Sequence, residues 1–229
     1  MEIILQRHGG TDPADILCLQ EVDHFADFFH PALYTLGYQG VISLGSGYDP
    51  SARNGGYTMG TAVFWRVNTF DLVDDYTQDI GIGRVVLIRL RHRIRRNDLL
   101  VCGVHLGSGD KVSDEDYRLT QLDKILQRLQ QSDIKDLPTV FLGDFNADTA
   151  IMKGETSDVP TKCVPRVLGI GSFMSAYPLA TTMEEQKSMA TTMKFRSGKD
   201  AIQTKSDGSK VDKSEPGYVL VSCFSVSVG

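Results

Sequence analysis

Apolar residues along this chain gather in short runs rich in β-branched side chains rather than in long stretches. Five stand out, at 16–19, 61–65, 85–90, 99–104 and 139–142, each bounded by Gly, Asp, Asn or Pro. Runs of that length with those boundaries predict buried strands. Between the last two, residues 113–131 carry Leu119, Leu122, Ile125, Leu126 and Leu129 at three- and four-residue spacing. That period predicts a helix, with Ser113 and Asp116 resembling a capping box at its start. A second helix is predicted over 23–36, with Phe25, Phe28, Phe29 and Leu33 on one side and Gly37 as its stop. Helices alternate with strands early and strands follow one another directly in the middle, so a mixed sheet packed on another layer is expected. Residues 45–56 are rich in Gly, Ser, Asp and Asn and read as a surface loop. Residues 181–215 are polar, Lys/Ser-rich and poor in large apolar groups, which predicts weak order.

Composition narrows the class. A chain of 229 residues, 41% hydrophobic and 23% charged, can bury one sizeable core. The division expected is one catalytic domain over 1–180 and a divergent segment over 181–229. None of the four cysteines stands in a Cys-x-x-Cys pair or at zinc-ligand spacing, which favours a reducing compartment. No apolar stretch is long enough for a bilayer and no secretory leader is evident, so the expected location is the cytoplasm, with nucleus or mitochondrion as alternatives and secretion excluded. The net charge of −5 argues against broad coating of nucleic acid and leaves a local phosphate site open. The basic stretch Arg89, Arg91, Arg93 and Arg95, with Arg84, His92 and Arg96 nearby, is expected to form the solvated outer face of a hairpin rather than a binding groove.

Chemistry enters at strand ends. Glu21 follows the run from Asp15, His105 ends the run from Leu99, and Gly143-Asp144-Phe145-Asn146 follows the run from Thr139. Polar groups just past core strands are where α/β proteins build sites, because the scaffold fixes position and the loop admits ligand. The set suits metal-assisted phosphoryl hydrolysis. One carboxylate, Glu21, can hold a hard cation that keeps most of its waters. Asp144 can orient or deprotonate an attacking water, while Asn146 and His105 can donate to phosphate oxygens. If strand geometry persists past Asp144, Asn146 shares its side and Phe145 points the other way. Singly, each residue has a plain structural reading as a solvated carboxylate, a satisfied histidine or a turn. The order and spacing of all three carry the inference.

Those segments resemble the endonuclease/exonuclease/phosphatase superfamily. The residues concerned are Leu19-Gln20-Glu21, the run from Gly60 to Trp65, His105-Leu106 and the run from Gly143 to Ala147, in that order. Its nocturnin-like and deadenylase branch is matched further by the blocks from Asp15 to His24 and Leu36 to Gly40, by Ser175-Ala176-Tyr177, and by Thr191 to Gly198. The resemblance implies a four-layer α/β sandwich, two mixed sheets flanked by helices. It also implies magnesium, or manganese in its place, held by Glu21. Asp144, Asn146 and His105 would then be catalytic, Asn146 and Arg196 would contact substrate phosphate, and proteins of mRNA decay would be partners. The substrate implied is an RNA 3′ end or an adenine dinucleotide phosphate such as NADP.

Departures accompany it. Segment 1–7 does not carry the family's opening Asn, no Asp-Tyr-Ile or Ser-Asp-His occurs downstream, Gly107-Ser108-Gly109 replaces basic residues, and Met59 stands where an Asp is common. These differences imply a chain shortened at both ends, with two functional classes open: a hydrolase, or a catalytically impaired module that binds nucleotides or partners. Sphingomyelinase-like and inositol-phosphatase members carry other motifs around the histidine. A shortened sandwich is expected to be marginally stable and to associate, so its melting temperature should depend on protein concentration.

Overall fold

A computed structural model describes residues 13–45, 59–109, 111–147, 162–163, 166–167, 173–175 and 226–228, the last two by backbone alone. Strand β1 (Ile16–Val22) leads through a wide helical turn (Phe25–Phe29) into α1 (His30–Tyr34) and then β2 (Tyr38–Leu44). There follow β3 (Gly60–Arg66), β4 (Phe70–Asp75), a 3-10 turn (Thr77–Ile80), β5 (Val85–His92), β6 (Asp98–His105), α2 (Val112–Leu129) and β7 (Thr139–Asp144). Short strands β8 (Phe173–Ser175) and β9 (Val226–Val228) complete the order. All five strands expected from the apolar runs are present. Strands β2 and β4 are additional.

Two sheets result. One has the order β1-β3-β2, antiparallel throughout; the other has the order β4-β5-β6-β7-β9-β8, in which β6 and β7 run parallel and the remaining pairs antiparallel. Alternation along each strand sorts the apolar side chains into three cores. Cys18, Val63, Trp65, Val86, Ile88, Leu90 and Val101 pack between the sheets. Leu87, Leu100, Cys102, Val104 and Phe141 pack under α2 with Leu122, Ile125 and Leu126. Leu17, Leu19, Ala62, Phe64 and Tyr38 pack under α1 with Leu33. Strands buried on both faces lose the polar alternation of a half-exposed sheet, which is why they appear as continuous apolar runs. The expected α/β sandwich of two sheets with helices is the architecture found; both sheets were expected to be mixed, and the three-stranded one is antiparallel throughout because both of its strand pairs run antiparallel. The boundary expected at 180 and most of 181–229 lie outside the described residues, as do residues 46–56 of the expected surface loop.

Both helices differ in detail from expectation. The first is broken: Pro31 has no N–H to donate, the Phe29 N–H reaches back to the His24 carbonyl at 2.9 Å, and the widened turn leaves Phe28 54% exposed. Phe28 is therefore off the buried side, while Gly37 ends the unit as expected with φ +84°. The second helix starts one residue before Ser113. Its first turn is closed by Asp114, whose carboxylate accepts the Lys111 N–H at 3.0 Å, so Asp114 takes the part expected of Asp116.

Three arginines of the stretch are neutralised by carboxylates of their own sheet. Arg89 and Arg91 both reach Asp98, Arg91 Nε at 2.7 Å, Arg89 also lies 3.5 Å from Asp74, and Arg93 lies 2.9 Å from Asp71. Strand β5 ends at His92, so Arg95 stands in the turn rather than on the strand face. Hydrogen bonds from Arg91 and Arg89 hold the Asp98 carboxyl at about 2, below its ordinary 3.8. A lowered folded-state value stabilises the fold above about pH 4 and loses that contribution as pH falls toward 2. Asp98→Asn should therefore flatten the fall in denaturant midpoint between pH 4 and pH 2 relative to the parent chain; identical slopes would count against the assignment.

Candidate functional site

The parity of each strand decides what reaches the gap between the sheets. On β6, Val101 faces the first sheet, and a Cβ on Gly103 would fall 2.5 Å from Val63 Cγ2 and 3.1 Å from Cys18 Sγ. His105, two residues on, continues that face and is 6% exposed. On β7, Leu142 packs in the same inter-sheet core, so Asp144 continues that face too. The parallel register sets His105 beside Asp144, and Gly143 makes the approach close: at φ +128°, a Cβ there would lie 2.0 Å from the Val104 carbonyl. No side chain but hydrogen fits.

Glu21 arrives from the other sheet by way of a β-bulge. Leu19 pairs with Ala62 but Val22 pairs with Gly60, so Gln20 and Glu21 together stand opposite Thr61. Thr61 lies on the inter-sheet side, 3.6 Å from a Cβ on Gly103, and Gln20 Nε2 donates to Cys18 Sγ at 3.2 Å on that same side. Without the extra residue Glu21 would follow Leu17 and Leu19 toward α1; the bulge re-aims it. It stands exposed, with φ +58°, and makes no ion pair among the described residues. Cys18 Sγ also donates to the Leu142 carbonyl at 3.5 Å, so β1 ends beside the ends of β6 and β7.

Asn146 departs from the strand geometry expected of it. β7 ends at Asp144, and Asn146 turns to φ +47° so that its N–H donates to Asp144 Oδ1 at 2.8 Å. Its amide donates to the Leu106 carbonyl at 2.8 Å, tying the loop after β7 to the loop after β6. Phe145 does point away, into the core under α2 beside Phe141. Glu21, His105, Asp144 and Asn146 therefore share one rim of the sandwich. Arg196 and the Ala176-Tyr177 part of its neighbouring motif lie outside the described residues, with Ser175 placed only as the end of β8.

The carboxylate supply bears on a metal. Among the described residues no group of three or more His, Cys, Asp and Glu converges on one point. Magnesium does not require that many, since one or two carboxylates and several waters suffice. An exposed Glu21 at the rim fits such a cation; a closed cage of side chains, such as zinc would use, is not what these residues form.

Behind the rim, α2 fixes the loop after β6. Arg118 and Glu115 pair at 2.7 Å with side chains 4% and 2% exposed. Arg118 also donates to the carbonyls of Gly107 and Gly109 at 3.0 and 2.8 Å, and Gln121 Oε1 accepts the Gly107 N–H at 2.8 Å. Glu115 Oε1 accepts N–H groups of Lys162 and Cys163. Burial pushes the Glu115 carboxyl up, but the Lys162 N–H and the Arg118 guanidinium outweigh it and hold the group below the ordinary value. Neither residue was singled out in the sequence. The signal available was two charges three residues apart on the apolar side of a helix.

Comparison with known proteins follows from this geometry. A model of the Endonuclease/Exonuclease/phosphatase family matches residues 2–159, more than half of the chain. The chain belongs to that family. Within the family it is similar to human nocturnin, with 29% identity over 218 residues, covering 88% of this chain and 46% of that protein. It is also similar to the CCR4-Not complex 3′-5′-exoribonuclease subunit Ccr4 of Yarrowia lipolytica, 25% identical over 204 residues, covering 65% of this chain and 28% of that protein. The structure of the human nocturnin catalytic domain with bound sulfate anion superposes with a TM-score of 0.58 at 26% identity, covering 94% of this chain and 69% of that one. The chain spans about half the length of the nocturnins it matches. The family fold and the nocturnin-like resemblance are thus both established for this chain.

Leaving one partner of a buried ion pair alone is costly, about 3–5 kcal/mol. Arg118→Met should lower the unfolding free energy by roughly that amount, and combining it with Glu115→Leu should recover part of the loss. Equal stability of parent and single variant in denaturant titration would show that the pair is not buried in solution.

Proposed function

We propose that this chain hydrolyses phosphoric esters with the help of a divalent metal, acting on an RNA 3′ end or on an adenine dinucleotide phosphate such as NADP. The observation that carries the reading is the convergence of Glu21, His105 and Asp144, from three strands of two sheets, on one rim. A carboxylate for a metal, an acid for water and an imidazole for an oxyanion are what such a hydrolysis needs, and no covalent nucleophile is among them. Family membership supports the reaction class, and the names of the exoribonuclease and nocturnin relatives support the substrates.

Glu21 would hold magnesium or manganese, which when bound neutralises phosphate charge and makes a water easier to deprotonate. Asp144 accepts the Asn146 N–H with one oxygen, and its other oxygen, which has no partner among the described residues, would accept a water proton as that water attacks phosphorus. The bond to the leaving oxygen then breaks. His105 donates to a non-bridging oxygen as charge grows there. Asn146 donates an amide hydrogen to the Leu106 carbonyl, which holds its amide at the rim where a phosphate would lie. Arg196 is proposed as a further phosphate contact on the strength of its motif. The sulfate bound by the human nocturnin domain, an oxyanion of phosphate-like shape, agrees with a phosphate site in this fold.

Among the described residues no helix is long and apolar enough to cross a membrane, and Cys18, Cys102 and Cys163 are buried thiols. Burial pushes the Cys163 thiol up to about 12, which suits an inert structural thiol. We propose the cytoplasm as its location, with proteins of mRNA decay as partners by analogy with the CCR4-Not subunit.

Magnesium-dependent release of AMP from adenine-tailed RNA, or of phosphate from NADP, tests the reading. The parent chain should turn over at least one of them, Asp144→Ala should lower kcat by about 10²–10⁴-fold, and Glu21→Ala should raise the magnesium needed. Binding of both substrates with no turnover by the parent would overturn the hydrolase reading in favour of a nucleotide-binding module.

A further inference from the structure

The rim has another member, passed over in the sequence because it stands beside a run of arginines. Val85 pairs with Val104, so the preceding position sets Arg84 opposite His105, and the Arg84 carbonyl accepts the His105 N–H at 3.0 Å. His105 in turn stands beside Asp144. Arg84, His105 and Asp144 thus form one row across three adjacent strands, about 5 Å from each to the next. Parity agrees, since Val86, Ile88 and Leu90 of the same strand face the first sheet. The guanidinium spans the gap: a Cβ on Gly45, just past β2 of the first sheet, would lie 2.9 Å from Arg84 Nε.

Among the described residues Arg84 has no counterion, and neither do Arg66, Arg95 and Arg96, but those three stand at the far ends of β3 and β5 whereas Arg84 stands on the rim. Arg89, Arg91, Arg93, Arg118 and Arg128 are each held by a carboxylate. Among the described residues the half-buried Arg84 side chain makes no ion pair and no hydrogen bond. Its backbone is held at φ +63°, a left-handed conformation that a residue without a special place rarely adopts. Next to His105, residues 106–109 carry no cation, the loop's Lys111 stands exposed at the start of α2, and Arg118 behind is engaged by Glu115 and two carbonyls. A planar donor fork beside an acid and an imidazole is matched to two oxygens of a phosphate.

We propose that Arg84 binds the phosphate group of the substrate, supplying positive charge beside His105, where residues 106–109 have none. The proposal rests on the reading of this rim as a phosphoric-ester site. It makes Arg84 a substrate-binding residue for the phosphate itself, without a part in metal binding.

Arg84→Gly is the informative variant, because glycine removes the guanidinium and accepts a positive φ without strain. Its melting temperature should not fall below that of the parent. In the same magnesium-dependent assay its KM should rise about 10- to 100-fold, with Arg84→Lys between the two because it keeps the charge and loses the fork. Inorganic phosphate, titrated calorimetrically into the chain, should bind the parent and bind Arg84→Gly at least 10-fold more weakly. Unchanged KM and unchanged phosphate binding in a folded Arg84→Gly would overturn the proposal. Should the parent show no turnover, the hydrolase reading fails alone, and the phosphate titration still decides: weaker binding by the variant supports Arg84, while equal or absent binding by the parent overturns it.

Discussion

The rim exists because the two sheets meet closely at one point. Gly103 lies against Val63 and Cys18, and any side chain there would strike Val63 Cγ2 at 2.5 Å. Sheets ordinarily stack about 10 Å apart with side chains interdigitating between them. A glycine on β6 opposite a cysteine on β1 lets the backbones draw together, and the Cys18 thiol then reaches the Leu142 carbonyl of β7. Cys18 is three residues before Glu21, Gly103 two before His105, and Leu142 two before Asp144. The contact therefore fixes the three chain ends relative to one another. It does so from behind, in a dry core, so groups at the rim are left to water and ligand.

A second constraint operates from the helical side. Burying the Glu115–Arg118 pair is not explained by stability, because well-packed apolar residues in its place are often neutral or better. Its use lies in what the two charges do with their remaining valences. Arg118 holds carbonyls of the loop after β6, and Glu115 holds the N–H groups of Lys162 and Cys163. An apolar pair could fill that volume but could not hold two backbone segments at defined positions. The Asn146 amide on the Leu106 carbonyl separately ties the end of β7 to the loop after β6, nearer the rim.

The sandwich was legible in the sequence because its central strands are buried on both faces, which writes each as a continuous apolar run. Strands β2 and β4 were not, because they are partly exposed and interleave Gln39, Ser43, Asp71 and Asp74 with apolar residues. Glu21, His105 and Asp144 were legible as polar groups ending apolar runs. Arg84 was not, although it is equally polar and equally adjacent to a run. It precedes β5 instead of following it, and only the antiparallel pairing with β6 reveals that a residue before one strand shares a rim with a residue after another. The geometry of Asn146 was misjudged for a related reason: Gly-Asp-x-Asn has both a strand-end reading and a turn reading, and the hydrogen bond back to Asp144 selects the turn.

Backbone strain marks the same place by an independent route. Among the described residues four other than glycine have positive φ, and three of them, Glu21, Arg84 and Asn146, stand on this rim, while Arg96 closes the β5–β6 hairpin. Asn tolerates the left-handed region through its short polar side chain, but Glu and Arg gain no such help. Each costs on the order of 1 kcal/mol or more, and a fold keeps that cost only where its surroundings over-determine the conformation. Here they do: a bulge sets Glu21, a cross-strand bond and Thr61 Oγ1 hold the Arg84 carbonyl, and Asp144 holds Asn146. Backbones fixed in advance by such bonds set where their side chains start, so less reordering is needed when charge arrives, which is the physical advantage of building a phosphate site on strained strand ends rather than on free loops.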